Sequence, residues 1–223
     1  LNLPGHSDSY IAPLRRPVVT QAIASQKPYE TERDTASPNR NLAPVTTCLD
    51  ERDRLMVGGC LLSDLAQRYG TPLYVLDEDT VRGTCRAYRD ALKQHYPGPS
   101  LPIYASKANS SLLMSSIAAS EGLGLDAVSA GELLTAFQGG MPGERMVLHG
   151  NNKNDEELLL AYNNNVTIVV DNQHDLERLA ELVPAGGPPA RLMLRFTPGI
   201  ECHTHEYIQT GHLDSKFGFD PDR

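Results

Sequence analysis

What most constrains this chain is a repeating alternation of short apolar runs with helical stretches. After Leu55, Leu61, Leu62, Leu65, Ala66 and Tyr69 recur at helical spacing, and Gly70 stops them. Apolar runs that predict strands follow at 72–76, 101–105, 123–128, 146–148, 166–170 and 191–196. Between them the pattern predicts helices over 77–94, 111–120, 130–138, 155–162 and 173–182. Strict strand–helix alternation demands a parallel sheet with right-handed crossovers. Strands that are apolar throughout suit a sheet covered on both faces. Two architectures satisfy this, an open doubly wound sheet and a (β/α)8 barrel. Six units complete an open sheet but leave a barrel unfinished, and periodicity does not choose between them.

Residues 1–46 follow neither period. Pro4, Pro13, Pro17, Pro28, Pro38 and Pro44 lie scattered among polar residues, the composition of a flexible leader. Arg15 and Arg16 suggest a transit peptide, which would place the protein in a plastid. Asp8, Glu30, Glu32 and Asp34 oppose that reading, because such peptides avoid acids. The net charge of -8 argues against non-specific binding to nucleic acid or an anionic membrane. No stretch reaches the roughly 18 apolar residues of a membrane helix. Cys48, Cys60, Cys85 and Cys202 form no CxxC pair, so neither a disulfide framework nor a metal site is expected, and a reducing cytoplasm is the simplest compartment. A first residue of Leu rather than Met suits a processed form or a piece of a longer reading frame.

Chemistry concentrates at the ends of the expected strands. In the run from Ile103 to Asn109, the residues Ile103, Ala105 and Lys107 share one strand face. In a barrel that face points inward, with Lys107 at the carboxyl end where barrel active sites lie. Desolvation there would lower the amine's pKa toward nucleophilic use. From spacing alone, a surface lysine at a strand end is the simpler reading. Asp126 ends the third run, His149 follows the fourth and Arg195 lies on the sixth. Asp126 could instead satisfy backbone donors of the next turn, and Arg195 could be an ion-pair partner of Asp126 or Glu132. Glu132, early in a helix, suits the helix dipole and reads as structural. Gly122-Leu123-Gly124 precedes a strand, the wrong context for a dinucleotide loop. The segment 139–143 reads as a turn. Cys202, His203 and His205 look like metal ligands, but no second cluster completes them.

The order of segments says more than any one of them. Tyr104-Ala105-Ser106-Lys107-Ala108-Asn109 resembles the lysine motif of the fold-type III pyridoxal-phosphate enzymes. Asp126 to Leu133, His149 to Lys153, Leu194 to Gly199 and His203 to Gly218 follow in the order of the diaminopimelate decarboxylase family. The resemblance runs from about Leu55 to the end of the chain, and its last block is the most specific to that branch. It implies a (β/α)8 TIM-like barrel of the alanine racemase/fold-type III type, here incomplete at about six units. A β-domain would follow it, and the segment 56–60 would join that domain. The expected organisation is a leader over 1–46, a lead-in segment over 47–70 and a partial pyridoxal-phosphate-binding barrel over 71–223. Lys107 matches the lysine that carries pyridoxal 5'-phosphate as an imine, and Ala105 the small residue beside it. Asp126, His149 and Arg195 match cofactor-binding walls.

The implied reaction is decarboxylation of meso-diaminopimelate to L-lysine by a cytoplasmic homodimer. The alternatives are a related decarboxylase of ornithine, arginine or carboxynorspermidine, or a non-catalytic pyridoxal-phosphate carrier. By the family pattern the phosphate-binding glycine turn, a ring-stacking histidine and a cysteine-bearing segment lie beyond Arg223. This chain is therefore expected to be an inactive front part of the enzyme.

Overall fold

The computed structural model describes residues 27–28, 42–197 and 217–220. The expected leader and the block from His203 to Gly218 fall mostly outside the described residues, as do Cys202, His203 and His205. The chain divides into two compact units, 1–75 and 76–223.

The first unit is a four-stranded antiparallel sheet in chain order, β1 (Lys27–Pro28), β2 (Cys48–Leu49), β3 (Leu55–Val57) and β4 (Cys60–Leu61). Gly58 and Gly59 turn the chain between β3 and β4 with φ of 57° and 75°. Two successive positive φ angles make the tight hairpin turn that side chains resist. Cys48 and Val57 are buried in this sheet. The segment 56–60 forms the β3–β4 hairpin and pairs with β2. Helix α1 (Leu62–Tyr69) then runs to Gly70, whose φ of 83° ends it where expected.

The expected strand at 72–76 does not form. Leu73, Val75 and Leu76 are 40–46% exposed and Tyr74 is fully exposed. An apolar run marks surface that can be covered, but a strand exists only through a ladder partner, and 72–76 has none among the described residues.

The second unit is a five-stranded, wholly parallel sheet of β5 (Ile103–Ala105), β6 (Gly124–Ala127), β7 (Met146–Leu148), β8 (Thr167–Val170) and β9 (Leu192–Leu194). The helices are α2 (Glu78–His95), α3 (Leu112–Ser120), α4 (Ala130–Gln138), α5 (Asp155–Asn163) and α6 (Gln173–Leu182). Strand order in space equals strand order in the chain. A doubly wound sheet reverses its order at a switch point. This one does not, so the arrangement is that of barrel staves.

Side chains alternate across each strand, and the register assigns them. Leu125, Ala127, Met146, Leu148, Ile168 and Val170 pack toward the helices against Ile117, Leu133, Leu158 and Leu179. Each of these buried side chains contributes roughly 1.5–3 kcal/mol. Asp77, Ser111, Ser129, Asn154 and Asn172 cap helices α2 to α6 in turn, each accepting a backbone N–H from the first turn. Burial on both faces holds for β6, β7 and β8 only. At the edges, Ile103 of β5 and Leu192, Met193 and Leu194 of β9 are 44–51% exposed. Composition marks which runs are strands; it does not mark which strands lie at an edge.

Candidate active site

The face of the sheet opposite the helices carries the chemistry. Register pairs Ala105 with Asp126 and Asp126 with Val147. His149, Asp171 and Arg195 each follow directly on the last residue of a strand. All lie at the carboxyl ends of the strands, the face that carries the active site in barrel enzymes. A cleft of about 530 Å³ opens there, lined among others by Lys107, Asp126, His149, Gly150, Arg195 and Phe217. The structure therefore gathers four of the five expected site residues around one cleft, and the fifth, Ala105, lies half-buried beside Asp126 in the register.

Lys107 sits in the 3-10 turn Ser106–Ala108 that leaves β5. It is exposed, which corrects the expected desolvation, because the described residues do not enclose the amine. The strand ends at Ala105, so the alternating pattern stops short of the lysine. The turn is fixed from behind. Buried Ser106 donates its hydroxyl to Glu132 Oε2 at 2.7 Å, and the Val128 N–H donates to the same oxygen at 2.8 Å. Glu132 thus ties the lysine's turn to the end of β6 besides sitting in the first turn of α4.

Asp126 does not serve the next turn, since Glu132 takes that N–H. Its Oδ1 is buried and has no hydrogen-bond partner among the described residues. His149 Nε2 stands 3.6 Å from it. Burial pushes the Asp126 carboxyl above the ordinary range, against the opposing pull of His149, Lys107 and Arg195. The His149 backbone N–H continues the ladder to Ala127 O at 2.8 Å, which holds the residue over the strand end. Gly150 follows with φ of 119°, a backbone conformation that side chains rarely adopt.

Arg195 pairs with neither Asp126 nor Glu132. Its Nη1 lies 3.6 Å from Asp171 Oδ1, and its guanidinium stacks 4.2 Å from the centroid of the Phe217 ring. Asp171 is 2% exposed, and neither carboxyl oxygen has a hydrogen-bond partner among the described residues. Sequence reasoning missed it. The available signal was its place, a charged residue immediately after an apolar strand, as with His149 and Arg195. A second omission is Lys153, whose side chain is 1% exposed and pairs with Asp175 Oδ2 at 2.7 Å.

Pyridoxal phosphate is a flat, anionic ring bearing an aldehyde, and the residues present fit it. An exposed amine at Lys107 can meet the aldehyde, Ala105 leaves room for a ring, and Arg195 offers positive charge. The unpartnered Asp126 oxygen is an acceptor without a donor, as a site for a protonated ring or amine requires.

Residues 78–223 match the family described as pyridoxal-dependent decarboxylase, pyridoxal binding domain. The diaminopimelate decarboxylase of Synechocystis sp. is 50% identical over 195 residues, covering 84% of this chain and 42% of that protein. The Bacillus subtilis diaminopimelate decarboxylase is 45% identical over 177 residues, covering 78% of this chain and 40% of the relative. The chain thus spans about two-fifths of the length of these relatives. Among solved structures, diaminopimelate decarboxylase from M. jannaschii superposes with a TM-score of 0.71 at 31% identity, over 79% of this chain and 42% of that one. The Helicobacter pylori enzyme complexed with L-lysine gives 0.63 at 32% identity, over 70% of this chain and 39% of that one. The parallel unit is accordingly part of a (β/α)8 barrel of the fold-type III kind. By the match over 78–223 and the identities of these relatives, the chain belongs to the pyridoxal-dependent decarboxylase family and carries its pyridoxal-binding domain.

Proposed function

We propose that this chain is the cofactor-binding part of a diaminopimelate decarboxylase, a carboxy-lyase that converts meso-diaminopimelate to L-lysine and carbon dioxide. The observation that carries the reading is the cleft, in which an exposed lysine shares its walls with a buried, unpartnered Asp126 oxygen and with Arg195. Relatives at 50% and 45% identity bearing that name support the choice of branch.

In this reading Lys107 holds pyridoxal phosphate through Nζ, Ala105 makes room for the ring, and Asp126, His149 and Arg195 form the walls. Bound there, pyridoxal phosphate supplies a sink for the electron pair left when the substrate carboxylate departs. The chain's own residues do the positioning. Lys107 and Arg195 bring positive charge to the cleft, where a substrate or cofactor anionic group can be held. Asp126, with its carboxyl raised by burial, holds a proton at its oxygen more readily than an ordinary carboxylate. His149 Nε2, 3.6 Å away, is placed to exchange that proton with it. Walls on successive strands would hold cofactor and substrate in a fixed mutual orientation, a positioning task. The substrate is a small amino acid, and the protein works as a homodimer in the cytoplasm. Among the described residues no helix is long and apolar enough to cross a membrane.

The test is to add pyridoxal phosphate to the full chain, reduce with borohydride and map the modified peptide. Modification at Lys107, lost in Lys107→Ala, is expected; labelling that survives the substitution removes the assignment. Release of carbon dioxide from meso-diaminopimelate, measured beside ornithine, arginine and carboxynorspermidine, decides the substrate.

A further inference from the structure

Two lysines line the cleft among the described residues, and they are built differently. Lys107 is exposed. Lys153 is buried, and its ammonium has two partners: it donates to Gly150 O and pairs with Asp175 Oδ2 at 2.7 Å. Asp175 is 2% exposed on its side chain, and the same oxygen accepts the Asp171 N–H at 3.1 Å. Asn172 Nδ2 donates to Asn151 O at 3.3 Å. The loop after β7, residues 149–153, and the loop after β8, residues 171–172, are therefore tied together by side chains of both loops and by Asp175 from the first turn of α6. Near these ties Asp171 faces Arg195. Lys153, Asp175, Asp171 and Arg195 sum to zero charge, which lets the group persist at low exposure.

We propose that Lys153 and Asp175 form a positioning pair that sets the β7 loop, and with it His149 and Gly150, against Asp126. Lys153 touches neither cofactor nor substrate chemistry, because its amine is spent on Gly150 and Asp175. Its effect reaches the cleft through the Gly150 carbonyl, at the one loop residue whose backbone conformation demands glycine. The effect on cofactor rests on the proposed pyridoxal-phosphate reading, whereas the effect on the loop does not.

Three forms of the full chain separate positioning from mere stability: the parent, Lys153→Met, and Lys153→Met with Asp175→Asn. Lys153→Met leaves Asp175 buried without its cation and lowers stability to urea. The double variant restores charge balance and keeps an acceptor for the Asp171 N–H, so most of that stability returns. The Gly150 tie stays broken in both. Amide hydrogen exchange over 149–153 is therefore expected to rise about tenfold in both variants, the worth of one charged hydrogen bond. Pyridoxal phosphate affinity, read by absorbance titration, falls by a similar factor in both while borohydride labelling stays at Lys107. Parent-like exchange over 149–153 in the double variant overturns the proposal, as does labelling at Lys153. A parent chain that binds no pyridoxal phosphate overturns the cofactor reading, and loop exchange still decides the positioning role.

Discussion

Burial at Asp126 disfavours the ionised carboxylate that water would favour. Its pKa lies above the ordinary 3.8, with desolvation the leading cause. A raised carboxyl binds its proton more tightly in the folded chain. Its contribution to stability is complete below 3.8 and is lost as pH rises through the raised value. Asp126→Asn is therefore expected to unfold at higher urea than the parent at pH 7, with the gap closing near pH 3. A gap of equal size at both pH values would assign it to packing instead. The same substitution should weaken pyridoxal phosphate binding, so fold and site pull in opposite directions at this residue. Lys107, Asp126, His149 and Arg195 stand near the ends of apolar runs, but spacing alone favours a surface role for Lys107, and the family resemblance is what singles the four out. Their partners are not legible there. Arg195 pairs with Asp171, and Lys153 with Asp175, through contacts between loops that no local pattern encodes.

Helices α2 to α6 were readable because each announces its start. Asp77, Ser111, Ser129, Asn154 and Asn172 all stand one residue before the helix they cap. The α5 cap is the most elaborate. Asn154 Oδ1 accepts the Glu157 N–H at 2.9 Å, Glu157 returns the bond to the Asn154 N–H, and its other oxygen accepts the Ala130 N–H of α4 at 3.1 Å. Asn154→Ala should cost about 1 kcal/mol in urea unfolding, and Glu157→Ala more, because two helices lose a partner. Equal losses would show that the bond to Ala130 contributes nothing. Between α4 and β7 the sequence pattern marks only a turn. A Cβ on Gly143 would lie 1.7 Å from Asn164 O, a meeting of two turns distant in sequence. The run 72–76 forms no strand for the converse reason: its composition suits one, but it has no ladder partner among the described residues.

At the scale of the parallel unit, the Glu121 charge cluster and the cleft charges occupy opposite ends of the sheet. At the amino ends of the strands, Glu121 receives Arg86 and Arg82 at 2.8–2.9 Å and is 7% exposed. Hydrogen bonds from Arg86, then Arg82, hold its carboxyl down at about 2 instead of 4.5. A lowered carboxyl contributes stability above 4.5 and loses it as pH falls toward 2. Glu121→Gln should therefore destabilise the chain at pH 7 and match the parent near pH 2. Added salt should shrink the difference, because the Arg86 side chain is 54% exposed. At the carboxyl ends, Asp126 and Asp171 keep oxygens without hydrogen bonds among the described residues, beside the matched Lys153–Asp175 pair. Unmatched oxygens gather where a barrel carries its active site. The register described for β5 to β9 also bears on how such a gene can change. Core and site are written on alternate letters of the same strands. One inserted residue inside β6 would flip the parity of all that follows in that strand, sending Asp126 toward the helices and Leu125 or Ala127 toward the cleft. Point substitutions can tune either face alone, but insertions and deletions within the staves strike both, so length variation in descendants of this chain belongs in the loops.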